Sequence, residues 1–445
     1  MSGWPAWATI PAALLLGVGL SRFCLAGGGR ALIGCVAALL GLGFASGSYA
    51  VAVVLRLPGG AAGIAFTLAM AGAGAAALAA APRAERNARP DPFPGPLRKA
   101  CFALCGAAAL AAAGWYIEHT LRWPDAGWDA WAFWNTRARY FVRGGIEQAF
   151  SPLLWHADYP FLVPGLVAQG WMLTGGENFG VPGAIAFLFM GLAAAVPALA
   201  CAGLRGAAAG ALMAGLLLAT PSFHHHATSQ YSDVPLAAFL AAALAAVALA
   251  LEGPTEARFR RLALAGVLGS MAAWCKNEGS LAVLALGVGV VARPGPEGLR
   301  TRIRDAAWAA AGAFPFCALL AAYKLTTAGR NDIVAGFSVA GALELRRYAL
   351  MAKYAGKLFL DFHDWGLTMI AAPLAAWGAW RARPHPPSAG VAALTLALTA
   401  AGFVAIYAVT PLDPAWHIDT SYDRLASQLL PSALFLASLT ALARP

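Results

Sequence analysis

Apolar residues in this chain come in long unbroken runs rather than in the short alternations of strands or the half-apolar repeats of surface helices. The runs cover roughly 5–21, 31–55 and 60–82, then 100–118, 181–203, 206–221, 235–251, 262–275, 280–292, 305–323, 365–380, 388–409 and 425–442. Most approach the ~20 residues that a helix needs to cross a bilayer. The pattern predicts an all-α, polytopic transmembrane bundle of about thirteen spans. One further apolar segment, Phe161–Thr174, is short and contains a proline, and reads as re-entrant or interfacial.

The polar positions divide the chain. Pro82–Lys99, with its prolines and arginines, reads as a non-helical basic linker over 83–99. It sets off an N-terminal group of three transmembrane helices (1–82) from a main body (100–445). Two long polar loops, 119–180 and 324–363, stand out within that body and are expected to carry amphipathic helices. Alternating the spans puts the short arginine-bearing turns on one side of the membrane and the loops rich in Asp and His on the other. By the positive-inside rule the former side is cytoplasmic, the N-terminus is outside and the C-terminus, at Arg444, inside. The expected location is the inner (plasma) membrane, multi-pass.

Composition agrees with lipid as the solvent: 60% of the 445 residues are hydrophobic and 12% are charged. The net charge of +10 lies in the short turns, and no basic run has the interleaved aromatics that track a phosphate backbone, which argues against nucleic acid as a partner. The seven cysteines form no CxxC pair and point to neither a disulfide nor a zinc site. No basic stretch precedes the first apolar run, so it reads as a retained span rather than a cleaved signal.

The outer loops collect the chemistry. Gly127–Pro160, GWDAWAFWNTRARYFVRGGIEQAFSPLLWHADYP, carries Asp129, Arg137, His156, Asp158 and Tyr159. Asp233 follows in YSDVP, Lys276 and Glu278 in WCKNEG, and His417 and Arg424 near the C-terminus. Charges at span ends either snorkel to anchor the helices or face a wet cavity together. Four separate loops placing them on one face favours a shared cleft. Arg346, Arg347, Lys353 and Lys357 in the second long loop suit either an anionic acceptor or anionic headgroups.

These residues resemble a family. GWDAWAFWNTRARYF looks like the first-loop motif of the polytopic glycosyltransferases with the GT-C fold, and WHADYPFLVP is similar to the proline-rich segment that follows it there. YSDVPLAAFLAAALA resembles their acidic residue before a span, WCKNEG their Lys-Gly turn, and YDRLASQLLPSALFL their closing helix. The likeness covers about 100–445 and is nearest the branch of protein mannosyltransferases and lipid A aminoarabinose transferases. It departs from the pattern where Ala130 follows Asp129 in place of a second acid, and in the stretched Lys276–Gly279 turn.

The resemblance implies sugar transfer from a polyprenyl-phosphate donor to an acceptor hydroxyl of a lipid, glycan or protein on the outer face, with inversion. Asp129 is then the candidate base and Asp158 a second catalytic carboxylate. Arg137, His156, Tyr159, Asp233, Lys276, Glu278, His417 and Arg424 are candidate substrate-binding residues, with Lys276 and Arg424 for the departing phosphate. Phe161–Trp171 and neighbouring spans are expected to form the prenyl groove. No cofactor is called for. His224-His225-His226 invites a divalent metal, but three consecutive side chains diverge and at most two reach one ion. The rival class is a transporter or lipid flippase, which places ionisable residues at mid-bilayer on broken helices.

Overall fold

In the computed structural model, which describes residues 3–82, 91–329, 331–381 and 384–442, every apolar run is helical and no strand occurs among the described residues. The helices are α1 (Ala6–Cys24), α2 (Arg30–Val54), α3 (Gly59–Ala79), α4 (Gly95–Arg122), α5 (Asn135–Arg143), α6 (Ile146–Ala149) and α7 (Leu162–Thr174). Then follow α8 (Gly180–Arg205), α9 (Ala207–Leu218), α10 (Pro221–Thr228), α11 (Asp233–Glu252), α12 (Arg258–Cys275), α13 (Asn277–Ala292) and α14 (Leu299–Thr326). The last third holds α15 (Asp332–Ala335), α16 (Leu345–Leu360), α17 (Phe362–Trp365), α18 (Thr368–Arg381), α19 (Pro387–Val409), α20 (Pro414–Asp419) and α21 (Tyr422–Ala441).

Eight of these, α1–α4, α8, α11, α14 and α19, are long and apolar enough to cross a membrane, and the pair α9–α10, bent by 68°, makes a ninth if taken as one span. The chain is thus a multi-pass membrane protein. The remaining runs of the expected thirteen are helical but fall short of that standard for separate reasons. α13 has 16 residues and α18 has 14, against the ~20 of a full crossing. α12 opens on Arg258, Arg260 and Arg261, and α21 carries Asp423 and Arg424 in its first turn.

α11 is the centre of the bundle. It is Ala- and Leu-rich on every side, the pattern of a helix enclosed by others, and every residue from Asp233 to Ala248 is buried. α8, α12 and α21 pack around it. Neighbouring helices come closest where side chains vanish. A Cβ on Gly266 would lie 1.8 Å from the Ala309 carbonyl oxygen, and one on Gly312 would lie 1.9 Å from that of Ala263, so α12 and α14 touch backbone to backbone.

Two expectations change. The linker 83–99 is partly outside the described residues, and its described end is not extended: α4 starts at Gly95, with Pro96 in the first turn, where a missing N–H costs nothing. Asp91 pairs with Arg98 at 2.9 Å and accepts the Ala208 N–H at 2.8 Å, serving the open start of α9. The first three helices share one core with the rest. Trp4 donates to Gln169 (3.2 Å), Gln169 to the Ala45 carbonyl (3.0 Å) and Trp274 to Ser46 (3.3 Å). For the same reason Phe161–Trp171 is no groove. Phe161, Leu162, Val167 and Ala168 have no exposed surface and are filled against α2 and α5.

Charge sits at two opposite ends of the helices. At one end Arg258 and Arg293 share Glu297 and Asp305, with Arg258 forming a two-toothed pair to Glu297 (2.5 and 2.7 Å). Nearby Arg205 pairs with Glu252 at 2.7 Å and donates to the Leu439 carbonyl at 3.2 Å. The arginine turns therefore also lock α8, α11, α12, α13, α14 and α21 together, beyond marking an orientation.

Two outcomes are expected. Gly312→Leu should push α14 off α12 and destabilise the protein by about 1–3 kcal/mol, the usual cost of overpacking, seen as a lower thermal midpoint in detergent. The hydrogen bond from Arg258, followed by that from Arg293, holds the Glu297 carboxyl at about 2 against an ordinary 4.5. A depressed carboxyl contributes stability above its unfolded value and loses it as pH falls through its folded one. Thermal midpoints should therefore drop between about pH 4.5 and 2, and less so in Glu297→Gln.

Candidate functional site

The other charged end is built on Asp233, the first residue of α11. Its carboxylate is wholly buried at a helix N-terminus, where the backbone N–H groups favour negative charge. Side chains from two other elements complete its neutralisation. Lys276, at the extended break between α12 and α13, donates to Oδ1 at 3.0 Å, and Gln428 of α21 donates to the same oxygen at 2.6 Å. Arg424, one turn earlier on α21, donates to Oδ2 at 3.1 Å.

Arg424 has a second partner. Its other terminal nitrogen meets Asp129 Oδ2 at 2.8 Å, so one guanidinium joins the first long loop to the core. The cation lies over the Tyr231 ring, 4.6 Å from its centroid, and the Tyr231 hydroxyl accepts the Asp129 N–H at 3.2 Å. Gly127 makes room, since a Cβ there would lie 2.3 Å from that hydroxyl. Glu278 pairs with Lys276 at 2.9 Å. Asp129, Asp233, Lys276, Glu278 and Arg424 thus form one cluster of three acids and two bases. Asp233 and Lys276 are its sealed floor, while Asp129 and Arg424 keep 16% and 17% of their side-chain surface open.

The chain around Asp129 is unusual. The next five residues, Ala130–Trp134, make a π-helical turn before α5 begins, a device that re-aims side chains and recurs at functional sites. Trp128 and Trp131 stay half exposed on either side of Asp129, and Trp128 meets Trp155 edge-on at 5.6 Å. Ala126, His156 and Gln230 have φ of 59°, 51° and 58°. All three stand within three residues of Asp129, Asp158 or Asp233, and only a closely determined setting keeps non-glycine residues there.

Asp158 and Arg137 belong to a neighbouring, structural knot. Asp158 Oδ2 accepts from Asn277 (2.7 Å), Asn331 (2.8 Å) and Lys324 (3.1 Å). Burial opposes its charge, but the hydrogen bond from Asn331, the Lys324 ammonium and the bond from Asn277 outweigh it and hold the carboxyl below the ordinary carboxylate range. Arg137 is buried without exposed surface and donates to the carbonyls of Tyr159 and His156, both at 2.7 Å. Tyr159 stacks on the His156 ring (4.6 Å, 9°) and on Trp134 (5.6 Å, 24°), and Lys276 lies 5.8 Å from its centroid. Burial raises the Tyr159 hydroxyl well above its ordinary value, so it stays protonated.

Sequence candidates therefore divide. Five meet in the cluster. Tyr159, Arg137, His156 and Asp158 shape its wall from the first loop. His417 borders the cluster from α20, bonded to Thr410 Oγ1 at 2.9 Å and near enough to feel the charges of Glu278 and Lys276, with burial lowering its imidazole pKa. The histidine run is helical, not a loop, because Pro221 starts α10. Its side chains diverge, His224 to the Leu218 carbonyl at 2.5 Å and His226 to Asp423 at 3.5 Å. The ligand-like group among the described residues is Asp361, His363 and Asp364, and there Asp361 accepts the Asp364 N–H as an ordinary helix cap. The pattern of the chain did not disclose Tyr231, Gln428, Asn277, Asn331 or Lys324. Gln428 lies one helical turn from Arg424, a spacing that could have pointed to it.

Comparison of the chain with family models, curated proteins and solved structures finds no match. Function must be read from the cluster. Before that, its wall can be tested: Arg137→Met should strip the charged donor from the Tyr159 and His156 carbonyls, which keep the Tyr323 hydroxyl and the Tyr159 N–H, at a cost of about 1–3 kcal/mol. Faster hydrogen exchange across 156–159 and a lower thermal midpoint would record it.

Proposed function

We propose that the protein is an integral membrane glycosyltransferase that moves a sugar from a polyprenyl-phosphate donor to an acceptor hydroxyl at the outer surface of the plasma membrane. The observation that carries this is Arg424 bridging Asp129 to the buried Asp233, a proton acceptor and a phosphate-binding cation held side by side at the ends of membrane helices. The GT-C-like order of motifs along 100–445 points the same way.

In this mechanism Asp129 takes the proton of the acceptor hydroxyl as its oxygen attacks the anomeric carbon. The bond from that carbon to the phosphate oxygen breaks, and the polyprenyl phosphate leaves with the electron pair. Arg424 and Lys276 stabilise the charge that builds on it, while the cluster's carboxylates stabilise the oxocarbenium-like sugar. One displacement inverts the anomeric centre. Arg424 also governs when the base is ready. At rest it holds Asp129 in an ion pair, and a donor phosphate that draws on Arg424 frees the carboxylate to meet the acceptor hydroxyl. Asp158, whose Oδ2 is held by three donors, positions the loop. His156 and Tyr159 line the approach, Asp233 and Glu278 hold the cations, and His417 borders the site. No step of this scheme calls on a cofactor or metal.

A transporter would carry its ionisable groups at mid-bilayer. The charges here lie at helix ends, which favours the transferase.

The test is a deletion strain whose missing glycan or lipid species is read by mass spectrometry. Wild type should restore it, and folded, membrane-inserted Asp129→Asn should lower turnover by about 100-fold or more. Near-normal turnover would remove Asp129 from the reaction, and an uptake defect without a missing glycan would favour the transporter.

A further inference from the structure

α16, like α18, is a long helix of which the protein covers very little. Of its described side chains only Arg347 is buried. The helix has no acidic residue, and at 100° per residue its positions sort into three sides. Arg347, Leu350, Met351, Tyr354 and Leu358 form the side turned to the protein. Arg347 donates to the Thr410 carbonyl at 2.8 Å and pairs with Glu344 at 3.0 Å, and the Tyr354 ring lies 5.0 Å from that of Tyr422. Arg346, Lys353 and Lys357 fall within about 40° of one another on the adjoining edge, and all three are exposed. Beyond them lies an outward side of Leu345, Ala349, Ala352 and Leu360. It is apolar yet open, with Leu345 84% and Leu360 83% exposed.

Water is a poor neighbour for that last side. The chain leading into α16 repeats the pattern, with Val339 and Leu343 standing 66% and 82% exposed. Acids near the helix are already engaged: Glu344 with Arg347, Asp361 as the cap of α17, and Asp419 with the Tyr354 hydroxyl. Three cations in a row therefore face outward beside an apolar strip, on a segment joining a spanning helix, α14, to α18. This is the arrangement of a helix lying at a bilayer surface, with hydrocarbon against one side and headgroups against the basic edge.

We infer that α16 is an interfacial helix whose Arg346, Lys353 and Lys357 bind the phosphates of anionic phospholipids in the leaflet facing the cluster. Tyr354 and Lys357 rest on Tyr422, two residues before Arg424, so bound lipid borders the site. The inference does not depend on which reaction the cluster performs.

The test uses the full chain in nanodiscs of phosphatidylcholine containing a minor share of phosphatidylglycerol. Native mass spectrometry reads the ratio of the two lipids retained. Wild type should enrich phosphatidylglycerol, and Arg346→Gln, Lys353→Gln and Lys357→Gln should cut the enrichment roughly fivefold per charge removed when the site is unsaturated. Hydrogen exchange over 345–360 should slow on adding phosphatidylglycerol in wild type and not in the triple variant, at unchanged thermal midpoint. Equal enrichment in both proteins overturns the inference. So does protection of 345–360 in phosphatidylcholine alone by inorganic pyrophosphate, as strong as that from phosphatidylglycerol, which would mark a soluble anionic acceptor instead.

Discussion

A carboxylate sealed inside a bundle of hydrocarbon helices has to be neutralised by its neighbours, and Asp233 sets that requirement for the whole site. Lys276, Gln428 and Arg424 reach it from two other elements. Breaking a buried ion pair on one side costs about 3–5 kcal/mol, because the remaining charge is stranded. The start of α11, the break between α12 and α13 and the first turns of α21 are therefore tied to one another. Asp129 joins through the second arm of Arg424, so the first long loop is held by the same constraint that holds the core.

The opposite end of the helices repeats the device with three arginines against three acids. There arginines from α8, α12 and the turn after α13 enclose Glu252, Glu297 and Asp305. Between the two ends α11 is nearly bare of polarity, and small residues let α12 and α14 meet at their backbones. Rigidity in the middle fixes the distance between the two charged ends. The open part of the site is then Asp129 and Arg424, whose side chains keep some surface while Asp233 and Lys276 are sealed.

Much of this was legible in the chain. Hydropathy located the long apolar helices, and the separation of arginine turns from Asp- and His-bearing loops anticipated the two charged ends. Asp129, Asp233, Lys276, Glu278 and Arg424 could be chosen because charge beside hydrocarbon is rare. Other readings failed for want of partners. The segment Phe161–Trp171 looked like a free apolar surface, and only the presence of α2 against it shows that it is filled. Asp158 looked equivalent to Asp129 until Asn277, Asn331 and Lys324 gathered on it. Asparagines and a helix-end lysine carry no signal of their own in a sequence.

The sequence by itself determined the solvent, the helices and the kinds of charge at their ends, because each depends on local composition over a few turns. Tertiary structure alone decided which carboxylate is held by which cation, that Arg424 serves two of them, and that the first three helices belong to the common core. Pairings between residues a hundred or more positions apart follow from how helices pack, and packing is settled by shape at every contact at once, which no single stretch of chain records.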